Sequence, residues 1–268
     1  MRMAQRLMDI AAPGVAAAAL ALVVGLASSP AAQADDAFAK TQLKAMSDYM
    51  AAQKAISFDF DATYEVVTKD QEKLGLASSG TMVLNRPDKI RVTRSGGFAD
   101  VELLFDGKTF TLLGKNANLY AQVPAPGTID QLVDALQDKF NVPLSGADLL
   151  LSNVYDALMP GVVSARDLGS GVIGGVECDH LAFRTSDVDW QIWIAQGDRP
   201  YPCRYVITTK LMPTAPQYSI QIRDWKTGSE VASDDFAFKN ATSAKQIDLK
   251  DLPNAGDLPA NFVKGEAQ

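Results

Sequence analysis

From Ile56 to Val66 the even positions (Ile56, Phe58, Phe60, Ala62, Tyr64, Val66) are apolar and the odd ones (Ser57, Asp59, Asp61, Thr63, Glu65) are polar. A period of two sustained this far predicts an antiparallel strand with one face in a core and the other in water. The segment before it, Asp36 to Lys54, keeps a different period. Phe38, Leu43, Met46 and Met50 fall on one side, with Lys, Gln and Asp elsewhere, as in an amphipathic helix. After the first strand, strand-like runs recur at Ser79–Asn85, Lys89–Arg94, Val101–Phe105, Thr109–Leu113 and Leu119–Val123. Pro87-Asp88, Gly96-Gly97, Asp106-Gly107 and Asn116–Asn118 separate them, all turn chemistry. Asp106-Gly107 between two apolar runs predicts a type I′ hairpin.

The strands are then interrupted. Thr128 and Gln131 form a capping box, and Ile129, Leu132, Val133, Leu136 and Phe140 follow at helical spacing, with Asp130, Asp134, Gln137 and Asp138 opposite. A second short helix is expected over Ala147–Leu158, stopped by Pro160. Strands resume at Val162–Leu168, Val176–Thr185, Asp189–Ala195, Arg204–Met212 and Gln217–Trp225. The tail is mixed from Gly228 and reads as poorly ordered from Leu252. No repeat or linker divides the chain, so a mainly β fold with some α is expected. It is one domain over 35–268, with about eleven strands in a large curved sheet and a helical insertion near 128–158.

The N-terminus adds an address. Arg2 and Arg6 precede an uncharged apolar run from Val15 to Ala27, and Ala32-Gln33-Ala34 supplies small residues before Asp35. That is the pattern of a secretory signal peptide over 1–34, cleaved after Ala34. The apolar run falls short of the ~20 residues a spanning helix needs, so a soluble, exported protein is expected. The net charge of −7 argues against a nucleic-acid partner.

Candidate chemistry is sparse. There is no G-x-S-x-G elbow, H-E-x-x-H or P-loop. Gly169 to Gly175 contains G-x-G-x-x-G, but a strand follows it, so it reads as a flexible turn. Asp179 and His180 are strand neighbours and point to opposite faces, which rules out a dyad. Asp59 and Asp61 share a face, but their alternation with aromatics makes it the solvated one. An enzyme is not expected, nor a cofactor or metal. Export makes Cys178 and Cys203 candidates for a disulfide. One strand lies between theirs, so a bridge requires that strand to have ended or bent near Pro200 and Pro202. The alternative is two buried thiols.

The run Gly80-Thr81-Met82-Val83-Leu84-Asn85-Arg86-Pro87-Asp88-Lys89-Ile90 resembles the G-x-L-x-V-x-R-P-x-x-[FI] strand-turn of the LolA-like and LppX-like periplasmic lipoprotein carriers. Asp106-Gly107-Lys108-Thr109 matches their following D-G-K-T strand. The resemblance covers roughly residues 36–145. The second half, with Cys178 to Arg184 and Trp190-Gln191-Ile192-Trp193, is instead similar to a bacterial family of predicted periplasmic proteins. The resemblance implies an unclosed antiparallel β half-barrel with helices across its concave face, storing an acyl chain or other apolar ligand between sheet and helices. It implies a monomer whose partners are a lipid or acyl-chain ligand and a membrane-bound donor or acceptor protein.

The expected ligand-binding set on the concave face is Phe58, Phe60, Tyr64, Met82, Leu84 and Ile90, with Phe110 and Tyr120 nearby. Leu132, Leu136 and Phe140 join it from the lid helix, and Trp190 and Ile192 from the second half. In the carriers the arginine of the R-P motif latches the lid through its backbone, and Arg86 occupies that position; the alternative is an exposed arginine beside Asp88. Besides a carrier, two other functions fit: a regulatory sensor of the RseB-like type, and a structural protein whose concave face is simply packed.

Overall fold

The computed structural model describes residues 30–97, 99–139 and 145–252, with side chains from Asp35 onward. Residues 1–29, Phe140 and the tail beyond Leu252 lie outside the described residues. The first helix, α1 (Pro30–Ala52), begins upstream of the expected Asp36 start and so contains the expected cleavage point. Alanine-rich sequence has the highest helix propensity, which accounts for the earlier start.

Two antiparallel meanders follow. The first comprises β1 (Ala55–Val67), β2 (Lys73–Asn85), β3 (Lys89–Gly96), β4 (Asp100–Phe105), β5 (Thr109–Gly114) and β6 (Leu119–Pro124). The second comprises β7 (Ser164–Ile173), β8 (Val176–Arg184), β9 (Val188–Ala195), β10 (Pro202–Thr209) and β11 (Gln217–Thr227). A seam between β1 and β11, with Phe60 opposite Ile222, joins them into one unclosed sheet. A short β12 (Lys245–Gln246) pairs in parallel with β6 and brings the total to twelve strands among the described residues. The fold is therefore the expected open, mainly β half-barrel.

Helices occupy the concave side. α1 buries Ala39, Leu43, Met46 and Met50 and lies chiefly over β7, β8 and β9. Asp36 on α1 accepts a hydrogen bond from the Ala165 backbone N–H of edge strand β7 (3.1 Å). The lid helix α2 (Ile129–Asp138) starts at the capping box, Thr128 accepting from the Gln131 N–H and the Gln131 side chain from the Thr128 N–H. Its buried residues are Ile129, Leu132, Val133 and Leu136.

Several details differ from expectation. Ala147–Leu158 is not one helix but a 3-10 turn (Ala147–Leu150) followed by α3 (Val154–Leu158). Asn153 caps α3 by accepting from the Asp156 N–H, and Ser152 is held by Asp130, so the chain cannot run helically between them. Asp106-Gly107 is not a type I′ turn. Asp106 accepts from the N–H groups of Lys108 and Thr109, an Asx turn in a longer loop, with only Gly107 at positive φ (89°). The glycine-rich Gly169–Gly175 is mostly strand: β7 runs through it, a register shift between Asp167 and Ser170 absorbs Gly169, and the turn is confined to Gly174-Gly175. β2 also extends back to Lys73, because β1 is long enough to pair with it that far.

Past Gly228 the chain crosses the outside of the first meander to reach β6. Arg91 on β3 anchors this strap, donating to Asp234 through Nε (2.6 Å) and Nη2 (3.1 Å) while also bonding Glu102. Phe236 is buried, and Phe238 packs against Tyr120 (4.8 Å between ring centres).

Candidate functional site

Strand alternation stacks side chains on the concave face in rows. One row carries Leu84, Ile90, Phe105 and Phe110; the next carries Phe58, Met82, Val92, Leu103 and Leu112. Phe58 stacks on Trp225 (5.6 Å) and meets Phe60 edge-on (6.3 Å). Gly80 opposite Phe60 leaves room for its ring, since a Cβ there would lie 2.6 Å from the ring edge. Between these rows and the lid helix is a cavity of about 200 Å³. Phe58, Phe60, Tyr64, Met82, Ile90, Phe110, Leu132 and Leu136 of the expected set line it.

The other described residues of that set lie elsewhere. Leu84 is buried in the core but does not line the cavity. Trp190 and Ile192 point inward as expected but into the filled core under α1, Trp190 stacked on Phe183 (3.9 Å). Tyr120 is corrected outright: opposite Leu113 on β5 it faces outward, its hydroxyl bonded to Gln246 and its ring on Phe238. Residues not in the expected set also contribute, notably Val92, Arg94, Leu103, Leu112, Ile220 and Ile222. The same period of two that marked Ile90 also marks Val92 and Arg94.

One junction ties the start of the lid helix to the sheet. Arg86 ends β2 before a cis bond to Pro87. Its guanidinium donates from Nη1 to the Leu150 carbonyl and from Nη2 to the Leu151 carbonyl, both 3.1 Å. The alternative of an exposed arginine beside Asp88 does not hold; Asp88 pairs with Lys89 (3.6 Å). Burial pulls the Arg86 guanidinium below its ordinary value, and the charge of Asp130 partly offsets this. Asp130, in the first turn of α2, accepts from the Ser152 backbone (3.0 Å) and hydroxyl. The Ile129 N–H donates to the Pro87 carbonyl (2.9 Å). The β2–β3 turn, the start of α2 and the segment 150–152 are thus tied at one point.

Other candidates have structural partners. His180 bonds Gln191 (2.9 Å) and stacks on Trp193, and Asp179 accepts from Gln196 (2.7 Å). Asp61 is bound by Ser79 and Arg223, which hold its carboxyl below the usual range. Cys178 and Cys203 are both free and buried. They share a small cluster with Ala195, because β9 ends at Ala195 and β10 bulges at Cys203. Among the described residues no group of acidic, His and Cys side chains is placed to hold a metal ion, and no helix is long and apolar enough to cross a membrane.

Residues 39–250 match the model of a family described as Predicted periplasmic protein (DUF2092). No curated protein matches the sequence. Solved structures similar in fold include Mycobacterium tuberculosis lipoprotein LppX, at 14% identity and TM-score 0.43, covering 74% of this chain and 100% of that one. The Pseudomonas aeruginosa MucA/MucB complex gives 16% identity and TM-score 0.43, covering 75% of this chain and 61% of that one. A LolA superfamily protein from Nitrosomonas europaea gives 10% identity and TM-score 0.34, covering 74% and 99%.

Proposed function

The chain belongs to the DUF2092 family of predicted periplasmic proteins, and we propose that it binds and carries a hydrophobic ligand, an acyl chain, without catalysing a reaction. The cavity between the curved sheet and α2 carries this reading. Its walls are mainly aliphatic and aromatic, and water gains little along them. At about 200 Å³ it exceeds the ~150 Å³ apolar hole that accepts a benzene ring. It falls short of the ~300–1,000 Å³ of sites that enclose drug-sized ligands. The closed form therefore admits the end of one chain, and α2 must lift to admit the rest.

In this reading Arg86 is the latch. It holds the 150–151 carbonyls until an entering chain displaces the lid, and a membrane-bound donor or acceptor provides the exchange partner. Native mass spectrometry of the protein purified from its own cell envelope, followed by lipid extraction, tests this. A stoichiometric bound lipid, lost on replacing Leu136 by Trp to fill the cavity, is the expected result. Ligand-free protein that also fails to take up an uncharged fluorescent hydrophobe overturns the reading.

A further inference from the structure

The second meander holds a small buried cluster of its own, away from the cavity. Cys178 on β8 stands opposite Ala195, the last residue of β9. The Ala195 N–H donates to the Tyr201 carbonyl (2.9 Å), so the start of β10 lies directly alongside. Cys203 sits in a bulge of β10, where pairing with β9 shifts register between Pro202 and Arg204. Elsewhere β9 keeps its two neighbours roughly 10 Å apart, twice the ~4.8 Å strand spacing, beyond the ~7 Å between Cα atoms that a disulfide spans. Here the intervening strand has ended on an alanine and the bulge turns Cys203 toward β8. The two cysteines are 0% and 1% exposed and form one cluster with Ala195, walled by Ile173, Val176, Trp193 and Tyr201. Each thiol is the leading influence on the other's ionisation. Cys203 draws Cys178 below its ordinary value, while Cys178, with burial adding, pushes Cys203 above it.

From this meeting of two buried thiols we propose that Cys178 and Cys203 are oxidised to a disulfide that clips β8 to β10 past the end of β9. The structure presents the pair in its reduced form. The inference is independent of the carrier reading. Thiols shut away from water meet no oxidant in the folded protein, so the bond forms while β10 is docking. One cysteine thiolate attacks a disulfide of the oxidant, a dithiol-disulfide protein or a small disulfide, and expels one of its sulfurs as a thiol. The thiolate of the second cysteine then attacks the sulfur of the first in this mixed disulfide and expels the oxidant's other sulfur. Two cysteine thiols thereby become one disulfide, and their two electrons and two protons leave with the oxidant as two thiols. A family described as periplasmic works among such oxidants. A metal site does not compete: two thiols need further ligands, and among the described residues no group of three is placed to hold an ion.

The test is thiol counting on protein purified from its own cell envelope without reductant, with N-ethylmaleimide present from lysis onward. Unfolded in guanidinium, the chain should gain no maleimide by intact mass, and should gain two once it has been reduced. A proteolytic digest should release the Cys178 and Cys203 peptides as one linked fragment of a single chain. Maleimide on either cysteine before reduction, a cysteine capped by a small thiol, or a bridge between two chains overturns the bond. The clip is read separately. Wild-type protein refolded under reductant should melt roughly 5–10 °C below the oxidised protein. The double variant Cys178→Ala/Cys203→Ala should melt at the same temperature with and without reductant. Wild-type protein that melts alike in both states, or a double variant that shares the reductant's effect, overturns the clipping role.

Discussion

Arg86 commits a half-buried cation to two backbone carbonyls, an arrangement that holds the segment 150–151 against the end of β2. Two charge-assisted hydrogen bonds at 3.1 Å contribute about 1.5–3 kcal/mol net. Arg86→Leu should therefore release a bound hydrophobic probe roughly tenfold faster; unchanged release in stopped-flow measurements reduces Arg86 to a packing residue. Asp148, in the turn after Gly146, makes a second case at this scale. Burial raises its carboxyl above the ordinary 3.8. Between 3.8 and the raised native value the folded chain keeps a proton that the unfolded chain has lost, so stability falls as pH climbs through that window. Asp148→Asn should flatten this dependence and raise the melting temperature at pH 7; parallel melting curves for both proteins from pH 4 to 7 contradict it. Arg86 was legible because its motif stands in plain sequence. Asp148 was not, since nothing local distinguishes it from the solvated acids around it.

Among the elements, the lid helix is held by its cap and by four apolar residues. Thr128→Ala should cost about 1 kcal/mol, read as a lower denaturant midpoint. Saturating acyl-chain ligand should offset the loss by binding the folded form. A loss identical with and without ligand argues against a lid that responds to it. The first-meander strands were legible because each has one wet face and one dry face. Where both faces are covered the alternation loses its sense, and Tyr120 is the example: the strap lays Phe238 on the side that a bare sheet leaves to water. β7 shows the opposite failure. Gly169, Ser170 and Gly171 have turn composition, yet an edge strand paired on one side tolerates them through a bulge. Ala147–Leu158 kept helical spacing while its break came from the distant Asp130, a contact that no local window contains.

Over the whole molecule, the strap covers part of the outer face of the first meander, burying Phe236 and laying Phe238 on Tyr120. Asp234→Ala removes both of its bonds to Arg91 and should cost about 2 kcal/mol. The slope of unfolding against denaturant should stay constant; a stability unchanged within error overturns the anchoring role. The sheet has one further property of the whole. Each meander joins consecutive neighbours, but the seam brings together Asp61 and Arg223, residues 162 positions apart. Tyr218, Ile220 and Ile222 of the cavity wall belong to the late side of that seam. Such distant pairing is slow to form, because a long loop must close before any contact rewards it. For a chain threaded through a membrane N-terminus first, the hollow does not exist until β11 has emerged on the far side. On the carrier reading, a chain exported in that way would cross empty, and its ligand would be loaded only in the compartment where the polypeptide finishes folding.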